Sequence, residues 1–184
     1  MTSSRQESYK SINKIKEKAG KIKLLILDVD GVLTDGKVVY SEHGEELKFF
    51  DVKDGHGIKL LLRSGIEVAM ITGRSSQCVK KRAEDLGIKM VFQKALKKIE
   101  PYEKILNEKK LSDEEICVVG DDLPDLPILR KCGLAVAVPG SVEEVKKEVD
   151  YITTKEEGRG AIREVCEIIL RAKGFWKKVT ERYY

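Results

Sequence analysis

Six short apolar runs recur along the chain, at 22–27, 67–71, 89–92, 116–119, 134–138 and 151–152. Helix-patterned stretches separate them, at 57–63, 75–86, 101–109, 126–131, 142–149 and 161–172. Strands that alternate with helices predict an α/β fold, a Rossmann-like parallel sheet sandwiched by helices. Strands covered on both faces read as unbroken apolar runs, as Leu24-Leu25-Ile26-Leu27 and Leu134-Ala135-Val136-Ala137-Val138 do. A length of 184 residues suits one such domain, and 41% hydrophobic with 6% aromatic residues suits an aliphatic core.

One segment breaks the alternation. Residues 37–41 and 45–50 read as two strands joined by Glu42-His43-Gly44, a β-hairpin with glycine where positive φ is needed. Val38, Tyr40, Leu47 and Phe49 are expected to form one apolar face. An isolated hairpin is marginal in water, so this one is expected to pack on something such as another subunit. The domain is thus expected over 22–173 with the hairpin at 37–50, preceded by a basic N-terminal extension at 1–21 and followed by a C-terminal tail at 174–184.

Charge and cysteine usage narrow the setting. Residues 1–23 hold seven Lys or Arg against two Glu, while the remainder has 28 basic and 29 acidic residues. The basic stretch reads as a solvated helical extension rather than a nucleic-acid or lipid contact. No run of about 18 apolar residues is present, and the lysine-rich start does not resemble a secretory signal. Cys78, Cys117, Cys132 and Cys166 lie far apart and read as reduced thiols. A cytoplasmic protein with neither membrane nor nucleic-acid partner is expected.

Ligands of open parallel sheets bind at the carboxyl ends of the strands, and four polar clusters fall there. Asp28 and Asp30 follow the first run, Thr72-Gly73-Arg74 the second, Lys97-Lys98 the third, and Gly120-Asp121-Asp122 the fourth. Mg²⁺ prefers oxygen donors and commonly takes one or two carboxylates with phosphate and water; Asp28 and Asp121 offer them. An aspartate also attacks phosphorus, a second carboxylate two residues on can exchange protons, and Thr72 and Lys98 can face phosphoryl oxygens. Gly31 allows close backbone approach. Singly, each Asp or Thr reads equally well as a helix cap; the order and register of all four clusters argue for one site.

Asp28-Val29-Asp30-Gly31-Val32-Leu33-Thr34, Thr72-Gly73-Arg74, Lys98 and Gly120-Asp121-Asp122-x-x-Asp125 resemble the four motifs of the haloacid dehalogenase superfamily. The resemblance implies Asp28 as nucleophile, Asp30 as acid/base with its main-chain carbonyl on the metal, and Thr72 and Lys98 on the phosphoryl group. It implies Asp121 as a Mg²⁺ ligand, with Asp122 or Asp125 orienting its water or Lys98. Asp122 is grouped with the metal residues Asp28, Asp30 and Asp121.

Asp30 and Thr72 are 42 positions apart, a gap the hairpin and one helix fill, so no cap domain is expected. Thr34-Asp35-Gly36, the hairpin, the stretch 50–58 and Gly158-Arg159-Gly160-Ala161-Ile162-Arg163-Glu164 resemble the 3-deoxy-D-manno-octulosonate 8-phosphate (Kdo 8-phosphate) phosphatase family. That resemblance implies a phosphorylated sugar-acid substrate, lipopolysaccharide synthesis and a homotetramer in which the hairpin and C-terminal segment help complete neighbouring sites. Gly31, Gly73, Arg74, Lys53 and Arg159 are the expected substrate-binding residues. Pro124 departs from the fourth motif, which often has Asn there. A nine-carbon ulosonate phosphate or a nucleic-acid end are the alternative substrates. A receiver-like phosphoacceptor domain is a non-enzymatic alternative, against which Asp30 speaks, and a scaffold with a vestigial site is another, against which the complete set of side chains speaks.

Overall fold

The structure is a computed structural model that describes residues 2–184, with side chains from Ile12 onward. Helix α1 (Thr2–Lys21) leads into strand β1 (Leu24–Leu27). The hairpin strands β2 (Val39–Tyr40) and β3 (Glu46–Leu47) follow, then α2 (Val52–Arg63), β4 (Glu67–Ile71), α3 (Gln77–Leu86), β5 (Met90–Phe92) and α4 (Ile99–Lys109). Next come β6 (Ile116–Val119), α5 (Leu126–Leu129), β7 (Leu134–Ala137), α6 (Glu143–Lys146), β8 (Tyr151–Ile152), α7 (Ala161–Ala172) and α8 (Trp176–Thr180). Six strands form a parallel sheet in the order β5-β4-β1-β6-β7-β8. The expected α/β sandwich is present, and among the described residues no cap domain stands over it.

Strand β1 shows why the runs are unbroken. Successive side chains alternate between faces, and both faces are covered. Leu25 and Leu27 join a core with Ile58, Leu61, Val165 and Ile169, whereas Leu24 and Ile26 join a second with Tyr102, Ile105, Ile128 and Val145. The stretch read as an extension is helical, and its last turns pack: Ala19 is fully buried and Lys18 pairs with Asp150 at 2.5 Å. The stretch read as a tail forms α8. Phe175 and Trp176 lie against the first core, with the Arg171 guanidinium 4.2 Å from the Trp176 ring centre.

Helix α2 begins five residues before the sequence suggests. Asp51 caps it, its carboxylate accepting from the Lys53 and Asp54 N–H groups. Gly55 and Gly57 look like helix breakers, yet both are buried inside α2. A Cβ on Gly55 would lie 2.4 Å from Arg82 Nη2, and one on Gly57 would lie 3.1 Å from Arg163 Cα. Close approach of α3 and α7 requires them. Helices α5 and α6 are shorter than expected.

The hairpin forms, with Gly44 at φ 77°, but its single apolar face does not. The Ser41 N–H donates to Glu45 O at 2.9 Å, closing a three-residue loop, and the register pairs Val39 with Leu47 and Tyr40 with Glu46. Partners across an antiparallel pair share a face. Leu47 and Phe49 therefore lie on the Val39 face, whereas Val38 and Tyr40 share theirs with Glu46 and Lys48. A one-residue difference in register exchanges faces, and this loop length selects the observed one. Val38, Tyr40, Leu47 and Phe49 all remain exposed.

Candidate active site

Strands β1 and β6 are neighbours, so their carboxyl ends bring Asp28 beside the Gly120-Asp121-Asp122 turn. The Asp28 N–H donates to Val119 O at 3.1 Å, which continues the ladder one residue past the strand. Lys98, at the start of α4, is buried. Its Nζ donates to Asp28 Oδ1 at 2.7 Å and to Asp125 Oδ1 at 2.6 Å. The other oxygen of Asp125 accepts from the Asp121 N–H at 3.1 Å. Gly31 has φ 86°, and a Cβ there would fall 2.2 Å from Asp121 Oδ2, so only glycine lets the β1 loop pass this close.

Oxygens of Asp28, Asp121 and Asp125 lie within 4.8 Å of one another. Burial, followed by the charges of Asp28 and Asp125, raises Asp121 to about 8. Burial and Asp125 raise Asp28 to about 6, against the opposing pull of Lys98. Burial opposes charge on Lys98, but Asp28 and Asp125 outweigh it and hold the ammonium above its ordinary value. Three carboxylates thus face one ammonium, and Asp121 Oδ1 is buried without a hydrogen-bond partner. A hard divalent cation supplies what this set lacks, and oxygen donors fit Mg²⁺. Asp28 and Asp121 are the residues that would hold it.

Around this inner cluster stands a second group. Asp30 Oδ1 pairs with Lys48 Nζ, whose side chain is 1% exposed although it comes from the hairpin. Lys48 also reaches Glu46 Oε1 at 3.3 Å, and Arg74 Nη2 reaches the same oxygen at 2.8 Å. Arg74 Nε stands 3.7 Å from Asp30 Oδ2. Thr72 is buried at the end of β4; its N–H donates to Phe92 O at 2.9 Å, and its Oγ1 accepts from the Arg74 N–H at 3.3 Å.

A cleft of about 220 Å³ opens between the two groups, lined among others by Asp28, Asp30, Thr72, Gly73, Lys98 and Asp121. Asp122 and Arg74 border it as well, but Asp122 does not sit with the metal residues. It is exposed, and its Oδ1 accepts from the Leu123 N–H at 2.7 Å, capping the short turn Leu123–Asp125. Asp125 takes the inner position, because the turn folds its carboxylate back beneath Lys98. Nor do Lys53 and Arg159 reach this cleft in their own chain. They line a separate concavity of about 480 Å³ with Arg163 and Glu164, and Arg159 pairs with Glu156 at 3.8 Å. Sequence reasoning missed Lys48 and Glu46. The three-residue hairpin loop was the signal: it puts Lys48 and Glu46 on the Tyr40 face.

Residues 90–165 match the family model described as haloacid dehalogenase-like hydrolase. The 3-deoxy-D-manno-octulosonate 8-phosphate phosphatase KdsC of Escherichia coli (strain K12) is 46% identical over 157 residues, 85% of this chain and 84% of the relative. Among solved structures, the Moraxella catarrhalis 3-deoxy-D-manno-octulosonate 8-phosphate phosphatase, in complex with magnesium ion, phosphate ion and KDO, superposes with a TM-score of 0.91. It is 41% identical, covering 94% of this chain and 99% of that one. The Yersinia pestis enzyme of the same name gives a TM-score of 0.88 at 40% identity, covering 90% and 89%.

Proposed function

Because the chain belongs to the 3-deoxy-D-manno-octulosonate 8-phosphate phosphatase family of haloacid dehalogenase-like hydrolases, we propose a division of labour among its own residues for that reaction. The activity is Mg²⁺-dependent hydrolysis of Kdo 8-phosphate to Kdo and phosphate. The observation that carries the residue roles is the convergence of Asp28, Lys98, Asp121 and Asp125 at the ends of neighbouring strands.

The phosphoryl group enters the cleft against Thr72 and Lys98, with the Gly73 backbone beside it. The Asp28 carboxylate attacks phosphorus, and the bond from phosphorus to the sugar's C8 oxygen breaks. Asp30 gives its proton to that departing oxygen, so the sugar leaves as an alcohol and Asp28 carries the phosphoryl group. Water then attacks phosphorus as Asp30 takes back a proton, and phosphate leaves Asp28 a free carboxylate. Asp125 holds Lys98 in place throughout. Asp28, Asp121 and the Asp30 main-chain carbonyl would hold Mg²⁺, which would supply positive charge against that on the phosphoryl oxygens. Arg74 borders the sugar side of the cleft.

The working unit is a homotetramer in the cytoplasm, acting in lipopolysaccharide synthesis. The exposed apolar residues of the hairpin favour a subunit contact, as do Lys53 and Arg159, whose concavity is free to meet a neighbour's cleft. A phosphate-release screen tests the substrate. Kdo 8-phosphate should be turned over with the highest kcat/KM, and a nine-carbon ulosonate phosphate or a nucleic-acid end outperforming it would overturn the assignment. Activity should vanish in EDTA and return with Mg²⁺, but only weakly with Ca²⁺, whose coordination is larger and looser.

A further inference from the structure

We propose that Lys48, on the hairpin, is a positioning residue for the proton-transfer step, so that the hairpin belongs to the catalytic apparatus of its own chain. This rests on Asp30 being the acid/base. A lysine on an otherwise exposed two-stranded hairpin is ordinarily solvated, because burying an ammonium is costly unless it is paired. The Lys48 side chain is 1% exposed and doubly paired, with Asp30 Oδ1 and with Glu46 Oε1 at 3.3 Å. Glu46 in turn meets Arg74 at 2.8 Å, so the loop after β1, the hairpin and the loop after β4 are joined through side chains.

The two oxygens of Asp30 are not equivalent in this arrangement. Oδ1 is held by Lys48. Oδ2 is buried and has no hydrogen-bond partner among the described residues, the Arg74 Nε standing 3.7 Å away. With Oδ1 tethered, rotation of the carboxyl is restrained, and Oδ2 is left as the oxygen placed to exchange a proton with the departing alkoxide. Without the ammonium the same carboxyl loses its fixed orientation. A misplaced proton donor slows the step it serves even when the donor itself remains.

The test uses kcat/KM, which covers steps only up to formation of the phosphorylated aspartate. Three esters separate the possible roles: Kdo 8-phosphate, butyl phosphate and p-nitrophenyl phosphate. The first two expel a strongly basic alkoxide that needs the proton; p-nitrophenolate does not. In Lys48→Met, kcat/KM should fall roughly tenfold to a hundredfold on both alkyl esters and under about threefold on the aryl ester. Lys48→Gln, which keeps a hydrogen-bond donor, should show the same pattern with a smaller loss, and Lys48→Arg should recover most of the alkyl activity. Equal loss on all three esters means that Lys48 only supports packing, and loss on Kdo 8-phosphate alone means that it contacts the sugar; either overturns the proposal, as does no loss. Asp30→Asn is the control. If it does not discriminate against the alkyl esters, the acid/base assignment fails; if it does while Lys48→Met does not, the positioning role alone fails.

Discussion

The inner and outer halves of the cleft are both built from charged residues, but they solve opposite problems. The inner half lies at the ends of β1 and β6, where the pairing of Leu27 with Val119 fixes Asp28 relative to the following turn. Asp28, Asp121 and Asp125 crowd there against Lys98 alone, so the cluster is electrostatically incomplete. The outer half draws Asp30, Glu46, Lys48 and Arg74 from two loops and a hairpin, and its two acids meet two bases. A position set by a sheet can hold like charges together and wait for a cation. A position set by a hairpin must supply its own counter-charges.

Substitutions can break this contrast from either side. Asp28→Asn should have the largest effect: no turnover of any phosphate ester and no phosphorylated enzyme in a rapid-quench assay, because an amide cannot accept the phosphoryl group. Retention of more than about a few per cent of normal phosphate release would remove Asp28 from the nucleophile's role. Asp30→Asn strikes the outer half and should slow turnover of the sugar phosphate by roughly 10²–10⁴-fold. It keeps the main-chain carbonyl, so the Mg²⁺ dependence of residual activity should change little. A collapse of Mg²⁺ affinity with normal rate would mean that the halves are not separable in this way.

A smaller effect is expected further out. Val39→Asp with Phe49→Asp places charge on the outer face of the hairpin, so light scattering should report dissociation and the preference for Kdo 8-phosphate should weaken. Hydrolysis of p-nitrophenyl phosphate should suffer less, since the inner residues come from one chain. A variant that remains assembled, or a wild-type monomer with full selectivity, would remove the hairpin from the subunit contact.

The smallest effect is on stability. Asp121 is raised from 3.8 to about 8 in the folded protein, chiefly by burial. Folding therefore favours its protonated form, and metal-free stability should decline as pH rises from about 4 through about 8. Asp28 and Asp54, each raised to about 6, act in the same direction. Calorimetry should find the decline shallower with Mg²⁺ present and in Asp121→Asn, which should also melt a few degrees higher than the metal-free wild type at pH 8. An unchanged slope would show that the inner half is not under the electrostatic load described.

The sheet and the inner half were legible because their signals are local. Unbroken apolar runs such as Leu24 to Leu27 declare two covered faces, and each run hands on to the carboxylate, hydroxyl or lysine that follows it. The start of α2 was not legible: Gly55 and Gly57 look like breakers until Arg82 and Arg163 are seen against them. Asp122 and Asp125 are both acidic, and only the capping geometry of their turn tells which one faces Lys98. On the hairpin the loop length carried the register, but charge on a short exposed strand does not by itself announce that Lys48 turns inward.

The placement of β1 at the middle of the sheet also has a consequence for biosynthesis. Asp28 leaves the ribosome early, but the segment after β6 that carries Asp121 and Asp125 emerges only after β4, β5 and α4 have been made. Until then the nascent chain has a single member of the carboxylate cluster, without the crowding that calls for a cation. The cluster of the folded protein is therefore out of reach of a growing polypeptide that has not yet made residues 120–125. The three-carboxylate centre is completed by the arrival of the fourth motif, late in translation.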